Sequence, residues 1–254
     1  MWEKIYDSFI VEDRWKYVTN GLWVTLRVTF FAVILGVILG FLVAIIRSTY
    51  DKTTKHKILD VLRNILTNSP QKLNTSEFLK FILKYFLNLI CNVYLTVIRG
   101  TPVVVQLLII NFVIFASSRI NTLYVAILAF GINSGAYVAE IIRGGIMSVD
   151  EGQFEAGRSL GFTYNQTLIY IILPQAFKNV LPALANEFIV LLKETSVAGY
   201  IALQDLTKAG DIIRSRTFDA FTPLIAVALI YLAMVMVFTK LVRLLERRLR
   251  SNER

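Results

Sequence analysis

One cysteine and one histidine stand in 254 residues. Cys91 has no partner within the chain for a disulfide, and no Cys/His cluster has the spacing of a zinc site. His56 lies in a charged stretch and is expected to be solvated rather than catalytic. Five prolines and 13 glycines exclude collagen-like and low-complexity readings. Charged residues make up 18% of the chain, below the roughly 25% of an ordinary soluble domain. There is no G-x-x-x-x-G-K-[ST], no H-E-x-x-H and no G-x-S-x-G, so nucleotide hydrolysis, zinc proteolysis and serine hydrolysis have no visible machinery. The chain is not expected to be an enzyme. No repeat of 20–50 residues and no inverted second copy of the hydrophobic pattern is seen. The excess is in grease: 56% of residues are apolar and mean hydropathy is +0.60. A polytopic membrane protein follows, with the lipid bilayer as its solvent. Acidic residues before Gly21 (Glu3, Asp7, Glu12, Asp13) do not fit a basic signal-peptide start, so the first apolar run is expected to be a true span.

Crossing a hydrocarbon core of about 30 Å takes about 20 helical residues. Five spans are expected: residues 22–46, 97–116, 123–142, one starting near 180, and 218–238. Residues 78–96 read as an approach helix, because Lys80, Lys84, Asn88, Asn92 and Thr96 recur every fourth position in one stripe; Asn74 and Glu77 offer it a capping box. Residues 168–177 read as a second approach, with Lys178 at the interface. With the N-terminus outside and the C-terminus cytoplasmic, the inner segments 47–84, 143–158 and 240–254 hold sixteen Lys and Arg and the outer ones seven, as the positive-inside rule requires. The net charge of +9 is thereby a cytoplasmic-face charge, and nucleic acid is not an expected partner. Within residues 47–77 a 3-4 spacing of Ile58, Leu59, Val61, Leu62, Ile65 and Leu66 predicts a short amphipathic helix, lying on the inner leaflet or docking a partner.

Polarity inside the apolar segments marks candidate sites. Arg99-Gly100-Thr101-Pro102, with Gln106 a turn later, fits either an arginine snorkelling beside a helix start or a piece of a substrate path. Asn133, Ser134, Tyr137 and Glu140 share a face of the third span, either as interhelix glue or as a functional row. The fourth span carries Glu187 and, one heptad on, Lys193, Glu194 and Ser196. A structural Lys193–Glu194 ion pair is the plainer alternative to a substrate role. In the inner loop, residues 151–161 read as a short helix stopped by Gly161, with Phe154 and Leu160 available to dock and Glu155 available to pair.

These motifs, in this order, resemble the permease subunits of the polar amino-acid branch of ATP-binding-cassette importers, across nearly all of residues 21–248. The loop is similar to the family's coupling motif at Glu155, Ala156, Gly157, Ser159 and Gly161, ending in Leu173-Pro174. Gly157 and Gly135 stand where the family pattern has Ala, and residues 47–77 are longer than expected. The resemblance implies an all-α type I importer transmembrane fold, a single permease domain over 1–254, with 47–77 as a cytoplasmic insertion and 143–166 as the coupling loop. It also implies two ATPase subunits that use ATP and magnesium while this chain holds no cofactor, an extracellular binding protein, a second permease copy or paralogue, and the bacterial cell membrane. An amino acid brings an ammonium and a carboxylate into the bilayer, and both need partners. Glu194 is the candidate for the ammonium; Thr101, Gln106 and Ser196 are candidates for the carboxylate, with Lys193, Glu187, Asn133, Tyr137 and Arg99 along the path. A stand-alone channel or secondary transporter for small polar solutes is the competing class; it would work without ATP.

Overall fold

The computed structural model describes the backbone of residues 2–66 and 75–251 and the side chains of residues 2–47, 79 and 82–249. Five helical segments in it are long and apolar enough to cross a membrane: Trp15–Arg47, Ile82–Gly100, Thr122–Met147, Tyr164–Ile201 and Phe221–Leu249. The expected count of five is met. We label the helices α1 (Trp15–Leu66), α2 (Thr75–Gly100), α3 (Val103–Ile109), α4 (Thr122–Met147), α5 (Glu151–Ser159), α6 (Tyr164–Thr167), α7 (Leu173–Glu194), α8 (Leu206–Thr217) and α9 (Phe221–Ser251).

The centre of the fold is the pair α1 and α4. Gly36 and Gly40 on α1 and Gly131 and Gly135 on α4 are each four apart, and each faces the other helix. A Cβ on Gly36 would stand 2.8 Å from the Ser134 side chain, one on Gly131 2.6 Å from Leu35, and one on Gly40 2.5 Å from Val138. Two small-xxx-small faces thus let the backbones approach closely, which is how helices associate where lipid removes the usual hydrophobic drive. Residue numbers rise together along the contact, so the two helices run parallel. Val28, Ala32, Val125, Ala126, Ala129 and Phe130 continue the seam and are almost wholly buried.

The second crossing departs from the expected span over 97–116. No boundary lies at residues 96 and 97: α2 runs unbroken to Gly100, and the break falls at Thr101–Pro102, followed by α3 and a wide π turn through Ile114. Leu95 packs on Ala136 and Ala139, while Leu107 and Ile110 join the cluster of Val125, Ala126 and Ala129. One crossing is therefore shared between two helices that meet near the middle of α4. Pro102 supplies no N–H and takes an extended ψ of 136°, which ends α2 and lets α3 restart.

Two further expectations change. The short helix around Ile58–Leu66 is not a separate element, because α1 continues without interruption for 52 residues to Leu66, about 78 Å at 1.5 Å per residue. The capping box at Asn74 and Glu77 lies outside the described residues, as does the side chain of His56. Residues 168–177 run into the fourth span with no boundary at Lys178: a π turn at Leu168–Ile172 joins α6 to α7. Helix α7 runs antiparallel to α4, with Ser134 bonded to Glu187 and Gly145 against Val180 and Ala176.

Candidate functional site

At the break in the second crossing, the polar side chains serve the backbone first. Thr101 Oγ1 donates to Val97 O at 2.8 Å, closing the end of α2. Gln106 Nε2 reaches back to Ile98 O at 2.7 Å, Thr101 O at 3.0 Å and Thr101 Oγ1 at 2.8 Å. These carbonyls lose their helical donors at Pro102, and in lipid no water replaces them. Gln106 is buried at 7% exposure and acts as the patch over the break. Asn133 Nδ2 then donates to Gln106 Oε1 at 2.9 Å, tying the patch to α4. The other amide atom of Asn133, Oδ1, is buried without a hydrogen-bond partner. Such an orphan acceptor is costly and suits a ligand that donates. One residue on, Ser134 Oγ donates to Glu187 Oε1 at 2.9 Å, and Glu187 is itself buried.

Two turns nearer the C-terminal end of α4 lies a charged cluster. Glu140 Oε1 is 3.3 Å from Arg47 Nη1 and 3.6 Å from Arg99 Nη1, and Oε2 is 2.9 Å from Arg143 Nη2. The Arg99 guanidinium also lies over the Tyr137 ring at 5.9 Å from its centroid. Three elements, α1, α2 and α4, thereby converge on one carboxylate. The sequence spacing announces Glu140 with Arg143; it is silent on Arg47, which is 93 residues away.

The candidates from the sequence do not all meet. Thr101, Gln106 and Asn133 form one network; Arg99, Tyr137 and Glu140 form another. No hydrogen bond joins Ser196 to Thr101 or Gln106 among the described residues. Ser196 lines a separate cavity of about 420 Å³ with Gly199, Tyr200, Thr207, Lys208, Asp211, Arg214 and Leu224. Lys193 and Glu194 make no close ion pair or hydrogen bond among the described residues: Lys193 is exposed and Glu194, at the C-terminal end of α7, is half-buried. The donors of Thr101 and Gln106 are already spent on carbonyls, so these two residues build the site's frame rather than offer free donors to a carboxylate.

Just beyond the C-terminal end of α4, the loop helix α5 is capped by Asp150, whose side chain accepts from Gly152 N at 2.7 Å. It stops at Gly161, whose φ of +86° is a left-handed conformation that favours glycine. Thr163 and Gln166 form a reciprocal capping box that starts α6. Phe154, expected to be free for docking, instead stacks on Tyr164 at 5.4 Å and 14°, which fastens α5 to α6. Gly157 has no room for a Cβ, since Thr167 Cγ2 would be 2.6 Å away. Glu155, Ala156, Ser159 and Leu160 remain exposed, Leu160 at 77%.

A cluster that the sequence reading missed ties α8 to the rest. Asp205, 1% exposed, caps α8 by accepting from Thr207 N and Lys208 N at 3.0 Å. Thr25 Oγ1 on α1 accepts from Leu206 N at 3.1 Å, and Thr207 Oγ1 pairs with Tyr231 Oη on α9 at 3.2 Å. Burial pushes the Asp205 carboxyl above its ordinary range, while the backbone N–H groups of Lys208 and Thr207 oppose that shift. The Asp205-Leu206-Thr207 sequence is an ordinary cap signal, hidden here in a segment too short and polar to suggest tertiary weight.

Comparison with known proteins adds identity to this geometry. Residues 80–251 match the family described as "Binding-protein-dependent transport system inner membrane component". The chain is 33% identical over 239 residues to the arginine transport system permease protein ArtQ of Bacillus subtilis (strain 168), covering 93% of this chain and 94% of that one. It is 40% identical over 166 residues to the glutamine transport system permease protein GlnP of Escherichia coli (strain K12), covering 64% and 76%. A crystal structure of an amino acid ABC transporter with histidines superposes with a TM-score of 0.76 at 39% identity, covering 94% of this chain and 98% of that one.

Proposed function

The chain belongs to the family of binding-protein-dependent transport system inner membrane components, and from that premise we propose that it is the transmembrane subunit of an ATP-driven importer for a polar amino acid. It is a multi-pass protein of the bacterial cell membrane. The observation that carries the reading is the broken second crossing, where Asn133 leaves a buried acceptor unpaired beside the Ser134–Glu187 pair. Acceptors and carboxylates in mid-membrane suit an ammonium, and the relatives are named for arginine and glutamine. Asn133 Oδ1, Glu187 and Glu194 face the ammonium in this reading, with Arg99 and Tyr137 further along the path and Lys193 and Ser196 at its outer end.

In the same proposal the N-terminus is outside and the C-terminus cytoplasmic. A binding protein delivers the amino acid from outside, a second copy or paralogue completes the path, and two separate ATPase subunits, with ATP and magnesium, drive it. The ATPases bear on Glu155, Ala156, Gly157, Ser159 and Gly161. In this reading the 47–77 insertion is cytoplasmic. Uptake of a panel of labelled amino acids into proteoliposomes, with ATPase and binding protein present or withheld, tests this. Uptake that needs both partners and ATP is expected; uptake without them sinks the importer reading in favour of a channel or secondary transporter.

A further inference from the structure

Among the described residues, Arg47, Arg99, Arg143 and Glu140 bring three positive charges and one negative charge together near the ends of apolar spans, with guanidinium side chains 25% to 45% exposed. That local excess of cations attracts an anion. Arg99 has the donors to meet one. Its guanidinium carries five N–H groups, yet among the described residues it makes no hydrogen bond: Glu140 at 3.6 Å is an ion pair beyond hydrogen-bond length, and its other neighbour is the Tyr137 ring face. On the opposite side, Arg47 Nε is buried and likewise without a partner. Arg99 directly precedes Gly100-Thr101-Pro102, so these donors sit at the lip of the break. Glu140 lies seven residues beyond Asn133, about 10 Å along the same face of α4.

We propose that Arg47, Arg99 and Arg143 form a carboxylate-receiving cage on the path, one station beyond Asn133, and that Glu140 holds the cage open while weakening its grip so that cargo leaves. This deepens the amino-acid reading and rests on it for the identity of the cargo. Three guanidiniums without Glu140 would bind a carboxylate too firmly for transport; with Glu140 the second carboxylate is shared among the same donors. Planar guanidiniums suit a carboxylate through paired N–H donors. A lipid phosphate carries the same chemistry and is the competing source of the anion.

The test uses the complete transporter with its ATPase in detergent. Binding of L-arginine, L-glutamine and L-histidine is compared with that of their α-amides, which keep the ammonium and side chain and lose the charge of the carboxylate. Arg99→Gln is expected to weaken the bound acid about tenfold, and Glu140→Gln to tighten it about tenfold while slowing uptake; the amides should move in neither variant. Equal changes for acid and amide, or none, overturn the proposal. Native mass spectrometry in phosphatidylglycerol vesicles supplies the other arm. Lipid retained by wild type and lost in Arg99→Gln, with acid binding unchanged, assigns the cage to lipid and overturns the cargo role. If none of the three acids binds wild type, the amino-acid reading has failed by itself. Thermal stabilisation of Glu140→Gln by acetate but not acetamide would then still support the cage, and equal effects of the two would overturn it.

Discussion

Glu194 and Gly135 illustrate what a single residue does inside this membrane helix bundle. Glu194 closes α7 half-buried and forms no hydrogen bond or ion pair among the described residues, which in the proposed reading leaves its carboxylate for an incoming ammonium. Replacing Glu194 with Gln keeps size and hydrogen bonding but removes charge. Uptake in proteoliposomes is expected to vanish while basal ATP hydrolysis of the assembled transporter persists; uptake at the wild-type rate would remove Glu194 from the path. Gly135 answers a different need. Tyr94 Oη donates to Ile132 O at 2.6 Å and stands 2.7 Å from where a Gly135 Cβ would be, with Leu39 Cβ at 3.0 Å. The alanine that the resemblance leads one to expect does not fit beside this tyrosine. Gly135→Ala should therefore cost about 1–3 kcal/mol through overpacking, read as a lower melting temperature. Adding Tyr94→Phe, which removes the crowding oxygen, should recover part of that loss, and a strictly additive pair would show that the hydroxyl is not the obstacle.

Elements show where sequence reading succeeds and where it stops. The first and third spans are legible because long apolar runs end at charges, and α5 is legible because Asp150 and Gly161 punctuate it. The second crossing misleads because Lys84 and Asn88 form a polar stripe on a helix that does enter the bundle. The real break is written in Pro102, whose effect depends on Gln106 reaching back across it. The GVILG and GINSG segments of α1 and α4 gain meaning only when they face each other, since nothing local pairs residue 36 with residue 134. Helix α8 is similar: its cap residue is local, but the burial of Asp205 comes from α1, where a Cβ on Gly21 would be 2.7 Å from Asp205 O. Because burial raises the folded-state pKa of Asp205, the carboxyl favours folding most when protonated, below the unfolded aspartate value of about 3.9. That contribution is lost as pH rises through the raised folded value. Asp205→Asn keeps a capping oxygen and cannot ionise. Its melting temperature relative to wild type should climb as pH goes from acid to neutral, and a constant difference would mean that folding leaves the pKa of the carboxyl unchanged.

At the scale of the whole molecule, the loop helix and the exposed Phe218 mark opposite ends of the bundle. Glu155 and Leu160 project from a helix whose other contacts, the Phe154–Tyr164 stack and the Gly157–Thr167 approach, are internal. Under the proposed coupling, a push on α5 would pass to α6 and, through the π turn, to α7 with Glu187 and Glu194. Glu155→Lys is expected to reduce co-purification of the ATPase or to leave hydrolysis without uptake; normal assembly with normal uptake would remove this helix from coupling. The sides themselves are tested by labelling. Phe218 is 96% exposed with φ +53° at the end of α8, and Leu160 sits at the opposite end of the bundle, since α4 carries the chain from the level of Val125 to the start of α5. Cys91 is buried and is replaced with Ser so that one introduced cysteine reports at a time. In intact cells, Phe218→Cys should react with a membrane-impermeant maleimide, and Leu160→Cys should react only after permeabilisation. The positive-inside count demands that outcome, because reversing the chain would place the basic segments 47–84 and 240–254 outside. Labelling of Leu160→Cys in intact cells would reverse the orientation and, with it, the faces proposed for the ATPase and the binding protein.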